Sequence, residues 1–186
     1  ILDSEETLGA ICPYPFELPV APLAAAQATK QAIQPDTIRR VYRLLASRYD
    51  CMVVEGVGGL CVPITPTYDV VAMIKQLRLP VIVVGRSGLG GINHALLTIE
   101  ALRRNRIPIL ALVLNRTQSA RSALARMQER TTIEILRTQA AVPVLGPLPY
   151  EPGLSSSFRP TVIRLARAAA ITKLAQLIQK SGKRTR

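Results

Sequence analysis

The sequence predicts an α/β fold, a doubly wound parallel sheet with helices on both faces. Four short apolar runs, Cys51 to Val54, Val81 to Val84, Ile109 to Leu114 and Val142 to Leu145, are separated by stretches with helical spacing. The first three are apolar at consecutive rather than alternate positions, which suits strands covered on both faces. They also run into polar or glycine-rich loops at their carboxyl ends, the edge where ligands gather in such sheets.

At 186 residues and 48% hydrophobic composition, the chain has material for one domain with a sizeable core, taken as residues 1–186, and is not mainly disordered. No apolar stretch reaches the ~18 to 20 residues of a membrane span, and the start lacks the basic-then-apolar order of a secretion signal. The default location is therefore cytoplasmic. Cys12, Cys51 and Cys61 form an odd set without CxxC spacing, read as reduced structural thiols, Cys51 being buried at a strand start. The net charge of +12 comes mostly from arginine, whose planar fork suits phosphate or carboxylate partners. Nucleic acid is disfavoured as the main partner. The arginines are spread along helices, aromatic residues make up only 4%, and only Gln179 to Arg186 is a concentrated basic tail, expected to be disordered from 181 to 186.

Taken in order, Ile11 to Pro22 carries Pro13, Pro15, Pro19 and Pro22 and reads as an extended connector. Asp36 is placed to cap a helix with Ile38, Val41, Tyr42, Leu45 and Tyr49 on one stripe. This helix leads into the strand Cys51 to Val54. A shorter helix after Asp69, with Val70, Met73, Ile74 and Leu77 inward, and the strand Val81 to Val84 complete a βαβ unit. Next come the loop Gly85 to Gly91, a helix over Ile92 to Arg104, and the strand Ile109 to Leu114 ending in Asn115-Arg116. A polar helix around Ala120 to Thr138, the strand Val142 to Leu145 and a loop from Gly146 to Ser157 follow. One final helix, about Pro160 to Lys180, buries Ile163, Ala170, Ile171, Leu174, Leu177 and Ile178, with Gly182 as its stop. Right-handed crossovers would bring the strand ends at Glu55 to Gly59, Gly85 to His94 and Asn115 to Thr117 to one edge.

Each of these ends has two readings. Glu55, followed at once by small residues, suits a metal or phosphate site, or simply a solvated turn after a buried strand. The glycines before His94 can aim backbone N–H groups at an anion, although such loops are common. His94, the sole histidine, is a candidate base or a helix-start residue. Asn93 can cap the helix or reach a substrate, and Asn115 can read an adenine edge or close a turn. GxSxG is absent and Glu55 has no acidic neighbour in sequence, so serine-nucleophile and paired-carboxylate mechanisms lack support.

Taken together, the segments resemble the dethiobiotin synthetase family. The matching words are Cys12-Pro13-Tyr14-Pro15-Phe16, Val54-Glu55-Gly56-Val57-Gly58-Gly59 with Val62-Pro63-Ile64 behind it, Gly88-Leu89-Gly90-Gly91-Ile92-Asn93-His94, Leu114-Asn115-Arg116 and Leu145-Gly146-Pro147-Leu148-Pro149. The word around Asn93 and His94 is the most specific, whereas Glu-Gly-x-Gly-Gly also occurs in related P-loop amidoligases. The resemblance implies a P-loop NTPase-like fold and a homodimer that carboxylates 7,8-diaminononanoate with CO2, activates the carbamate with ATP, and closes a ureido ring. It implies magnesium (Mg2+) bound through Glu55, with Gly56, Val57 and Gly58 beside the nucleotide. Asn115 and Arg116 would contact adenine, and Pro149, Tyr150 and Glu151 would form the far wall. Gly90, Gly91 and Asn93 would meet the diamine, Asn93 across the dimer interface.

The sequence departs seriously from the family: it contains no GxxxxGK[ST] phosphate cradle, its Gly182-Lys183 pair continues to Arg184, and the family's P-loop lysine and threonine, the catalytic lysine and serine that follow, and a second metal-binding aspartate have no counterpart in it. No catalytic residue is therefore assigned within it. The chain reads as the larger C-terminal part of such an enzyme, without the first strand and P-loop, and with little or no activity alone. The alternatives are another P-loop amidoligase or MinD-like ATPase, and a degenerate anion- or nucleic-acid-binding module.

Overall fold

The computed structural model describes residues 6–119, 121–154 and 156–182. The chain divides into two compact units, Ile1–Leu79 and Pro80–Arg186.

In the first unit, a single turn α1 (Leu8–Ile11) precedes the proline-rich connector, which is irregular up to α2 (Pro22–Thr29). Pro22 opens α2 because the first turn of a helix has no use for its missing N–H. Helix α3 (Pro35–Ala46) likewise begins at a proline. Asp36 is not its cap: Gln34 holds that position, and Asp36 sits in the first turn, 2.9 Å from Arg39. There its charge still complements the positive end of the helix. Of the predicted stripe, Ile38, Val41, Tyr42 and Leu45 are half-buried and Tyr49 is exposed, because it lies beyond the end of α3.

Two short strands, β1 (Pro63–Thr65) and β2 (Tyr68–Asp69), pair antiparallel, a hairpin not foreseen from sequence. Asp69 caps α4 (Val70–Leu77) as expected, accepting from the Ala72 N–H at 2.7 Å. Ile64, Val70, Met73 and Leu77 pack with Ile33 into the core of this unit.

The stretch Cys51 to Val54 is not a strand, so the predicted βαβ unit does not form there. It has no regular structure and pairs with no described strand, Cys51 is exposed, and Val53 retains 82% of its accessible surface. An apolar run specifies which side chains a strand would bury, whereas a strand also needs a neighbour to take its N–H and C=O groups. Among the described residues no strand pairs with this one.

The second unit is built on a parallel sheet in the order β3 (Val81–Arg86), β4 (Ile109–Asn115), β5 (Val144–Leu148). Strand β5 begins two residues later than predicted, after Pro143, and runs on through Gly146 and Pro147 to pair Leu148 with Asn115. Between β3 and β4 lies α5 (Gly91–Arg104), and between β4 and β5 lies α6 (Ala123–Gln139), capped by Ser122. Alternate residues of β4 point to opposite faces. Ala111 and Val113, with Leu145, meet Ala170, Leu174 and Leu177 on one face. On the other, Leu112 and Leu114 lie near Ala95 of α5 around Gly85. Helices thus cover both faces, as the doubly wound reading requires.

After a short 3₁₀ turn at Pro152–Leu154, the predicted single last helix is two helices, α7 (Phe158–Ala166) and α8 (Ala169–Gly182). The break at Arg167 and Ala168 lets the halves pack differently. In α7, Thr161 is buried, while Ile163, expected in the inward stripe, is half exposed. Helix α8 lays Ala170, Leu174 and Leu177 on the sheet. It includes Ser181 and Gly182, and the remainder of the basic tail lies outside the described residues. No helix among the described residues is long and apolar enough to cross a membrane.

Candidate functional site

The carboxyl ends of β3, β4 and β5 lie side by side. Arg86 is in register with Asn115, and Asn115 with Leu148. Past the strands, the Ser87 N–H donates to the Asn115 carbonyl at 3.1 Å and the Arg116 N–H to the Leu148 carbonyl at 3.2 Å. Backbone hydrogen bonds therefore fix the start of the glycine loop against the Asn115-Arg116 turn, and that turn against the segment leading to Pro149, Tyr150 and Glu151. Asn115 is half-buried, and Pro149 and Tyr150 are exposed. Glu151 is held by Arg164 of α7, whose Nε is 3.3 Å from its Oε1.

The glycine loop folds back tightly. The Gly91 N–H donates to the Gly88 carbonyl at 3.0 Å, and Gly90 caps α5 with φ of 84°, a conformation that favours glycine. Gly91 is buried against β3, where an added Cβ would lie 2.1 Å from the Arg86 carbonyl oxygen. Asn93 and His94, in the first turn of α5, are both exposed. An open cleft of about 610 Å³ runs along α5, lined in part by Gly90, Asn93, Leu96, Leu97, Arg103 and Gln139.

A feature not foreseen from sequence ties these parts together. Glu129 of α6 accepts from Arg116 Nε at 2.8 Å and Nη2 at 2.7 Å, a two-pronged pair, and from the Ser87 hydroxyl at 2.9 Å. Ser87 is 2% exposed and the Glu129 side chain 12%. The Arg116 hydrogen bonds hold the Glu129 carboxyl below the usual carboxylate range, burial working against them and the Ser87 hydroxyl with them. The same pairing raises the Arg116 guanidinium further above its ordinary value, against partial desolvation. The only hint in the sequence was one acidic residue among Arg126, Arg130 and their neighbours, which says nothing of its reach to a residue 13 positions earlier.

In the first unit, Glu55 to Gly59 form an exposed loop. Gly58 has φ of 70°, and an added Cβ there would lie 2.8 Å from Val62 Cγ2. Glu55 therefore does not stand at a strand end, as the sequence suggested, but in unpaired chain. Among the described residues, no group of three or more His, Cys, Asp or Glu side chains comes together as a metal cage.

A family model described as an AAA domain matches residues 1–157. An ATP-dependent dethiobiotin synthetase from Anaeromyxobacter dehalogenans is 42% identical over 154 residues, which cover 83% of this chain and 67% of the relative. The chain belongs to the dethiobiotin synthetase family. A relative of the same name from Anaeromyxobacter sp. is 40% identical over 84% of this chain and 69% of its own length. One from Thermodesulfovibrio yellowstonii is 37% identical over 80% of this chain and 63% of its own length. The matches thus span about two thirds of these family members. The words that suggested the family fall at structurally defined places: Gly88 to His94 is the turn from β3 into α5, Leu114-Asn115-Arg116 ends β4, and Leu145 to Leu148 lies within β5.

Proposed function

We propose that the second unit supplies the adenine-reading and diamine-facing surfaces for ATP-dependent dethiobiotin synthesis. The observation that carries this reading is the convergence of Asn115, the Gly88 to Asn93 turn and the segment after Leu148 at one edge of the parallel sheet. In the reaction, an amine of 7,8-diaminononanoate adds to CO2 to give a carbamate. The γ-phosphoryl group of ATP passes to a carbamate oxygen, and the second amine displaces phosphate as the ureido ring closes. Asn115 and Arg116 contact adenine, with Pro149, Tyr150 and Glu151 as the opposing wall. An amide with both donors and an acceptor suits an adenine edge. Gly90, Gly91 and Asn93 meet the diamine at the start of α5, where Gly90 and Asn93 line the cleft and Asn93 is exposed.

Within the first unit taken by itself, the exposed loop that carries Glu55 presents Gly56, Val57 and Gly58 as its nucleotide-facing positions. The Glu55 carboxylate is exposed and makes no hydrogen bond or ion pair to another described residue. It is thus a hard oxygen donor free to serve as the single protein carboxylate that magnesium often uses, the other ligands being water and phosphate. Magnesium, when bound, would balance phosphate charge during phosphoryl transfer. The exposed face of α5, with Leu97 61% accessible, suits a homodimer in which Asn93 faces the partner's site. The diamine and ATP place the work in the cytoplasm.

Because residues 1–186 contain no GxxxxGK[ST] cradle, ligand binding isolates the contribution of this chain better than turnover does. Isothermal titration of the full chain with ATP and with adenosine should detect binding that Asn115→Ala weakens about tenfold, the loss of one well-placed polar pair. Undiminished binding in the variant removes Asn115 from the base pocket. Incubation with diamine, bicarbonate, ATP and magnesium, followed by mass spectrometry for dethiobiotin, tests the reaction. ATP hydrolysis without any need for diamine would instead indicate another ATPase, and salt-dependent DNA binding a nucleic-acid module.

A further inference from the structure

The geometry points to Glu129 as the positioning residue for the nucleotide-base pocket, acting through Arg116 while anchored to the glycine loop through Ser87. One carboxylate collects three donors from two loops that leave neighbouring strands. Two come from the Arg116 fork, at 2.8 Å and 2.7 Å, and one from the Ser87 hydroxyl, at 2.9 Å. Arg116 follows Asn115 directly, so fixing its guanidinium fixes the backbone that presents the Asn115 amide. The Arg116 N–H is tied in turn to the Leu148 carbonyl, just before the Pro149 wall. Glu129 needs no contact with a ligand for this. It sits under the turn, on α6, with its side chain largely withdrawn from solvent. A guanidinium held by two parallel bonds cannot swing as a singly bonded one can, and a lysine cannot reproduce the fork. Ser87, nearly fully buried, extends the clamp to the start of the turn that leads into α5.

This inference rests on the reading of Asn115 and Arg116 as adenine contacts, so the test uses adenosine, which engages the base pocket alone. Binding to the full chain is measured by calorimetry for the wild type, Glu129→Gln, Arg116→Lys, their double variant and Ser87→Ala. Glu129→Gln keeps the side-chain size and an acceptor for Ser87 but loses the charged two-pronged pair. It should weaken adenosine binding five- to tenfold. Arg116→Lys breaks the same clamp from the other side and should do likewise. The double variant should be no weaker than Arg116→Lys alone, because the clamp can be lost only once. Ser87→Ala, which leaves the Arg116 bonds in place, should change adenosine binding less than twofold. If losses multiply in the double variant, or Ser87→Ala weakens adenosine more than Glu129→Gln does, Glu129 supports the fold in general and the inference is overturned. Wild-type binding with an unimpaired Glu129→Gln variant overturns it alone. Failure of the wild type to bind adenosine overturns the nucleotide reading and this inference with it.

Discussion

Gly91→Ala adds a single methyl group at the point where β3 hands over to α5. On helix propensity alone the change should stabilise, by at most about 1 kcal/mol. The structure opposes that, since the new Cβ would stand 2.1 Å from the Arg86 carbonyl oxygen and 3.2 Å from both the Arg86 carbonyl carbon and Cγ. The oxygen is backbone, held in a strand whose register with β4 extends through Arg86 and Asn115, so relief requires the start of α5 to move by about an ångström. Overpacking of this kind costs roughly 1–3 kcal/mol, and contact with a fixed strand argues for the upper part of that range. The net expectation is a destabilisation of about 2 kcal/mol, or about 4–8 °C in Tm for a chain of this size. Urea unfolding followed by circular dichroism measures it, with Gly88→Ala as the control, because nothing lies within 4 Å of a Cβ there. If Gly91→Ala proves as stable as the wild type, the close approach of α5 to β3 is wrong and so is the placement of the turn.

Other perturbations address the core, the clamp and the loop of the first unit. Leu112 is fully buried in the middle strand, and Leu112→Ala should cost about 2–5 kcal/mol in urea unfolding. The folded-state pKa of Glu129 is depressed, so its stabilisation is complete above the unfolded-state value of about 4.3 and is lost as the pH falls through the lower folded value. The stability gap between wild type and Glu129→Gln should therefore narrow as the pH falls below about 4.3. A gap independent of pH would mean that the carboxylate charge contributes nothing. Glu55→Ala should leave unfolding within about 0.5 kcal/mol of the wild type, because the side chain is exposed. It should also abolish any strengthening of ATP binding by magnesium, and retention of that metal effect would place the ion elsewhere.

The sheet was legible where local pattern and pairing agree. Val81 to Val84 and Ile109 to Leu114 are apolar runs bounded by Pro80 and Pro108, and each finds a parallel neighbour. Cys51 to Val54 carries the same pattern without a partner, and composition does not record which residues will complete a hydrogen-bond ladder. Asp69 was readable as a cap because it immediately precedes an apolar helical stripe. Asp36 was misassigned because Pro35 already occupies the first helical position, which moves the cap to Gln34. The division of the last helix escaped notice because Arg167 and Ala168 are good helix formers, and only packing on different neighbours separates the halves. For the site, the strand ends and the glycine turn were visible as motifs. Glu129 was not, because its partners Ser87 and Arg116 are joined to it by tertiary structure alone.

The arrangement of β3, β4 and β5 also constrains how the second unit comes into being. Val81 faces Ile109, and Leu112 faces Val144, so a whole helix must be spanned before any two of these strands exchange a hydrogen bond. No tight hairpin is available to seed the sheet, and the entropy of ring closure is spent before contacts return it. During synthesis, β4 cannot begin to acquire its second neighbour until Pro143 and Val144 have emerged. Slow refolding and a need for chaperones at high concentration are the expected marks of that order of assembly.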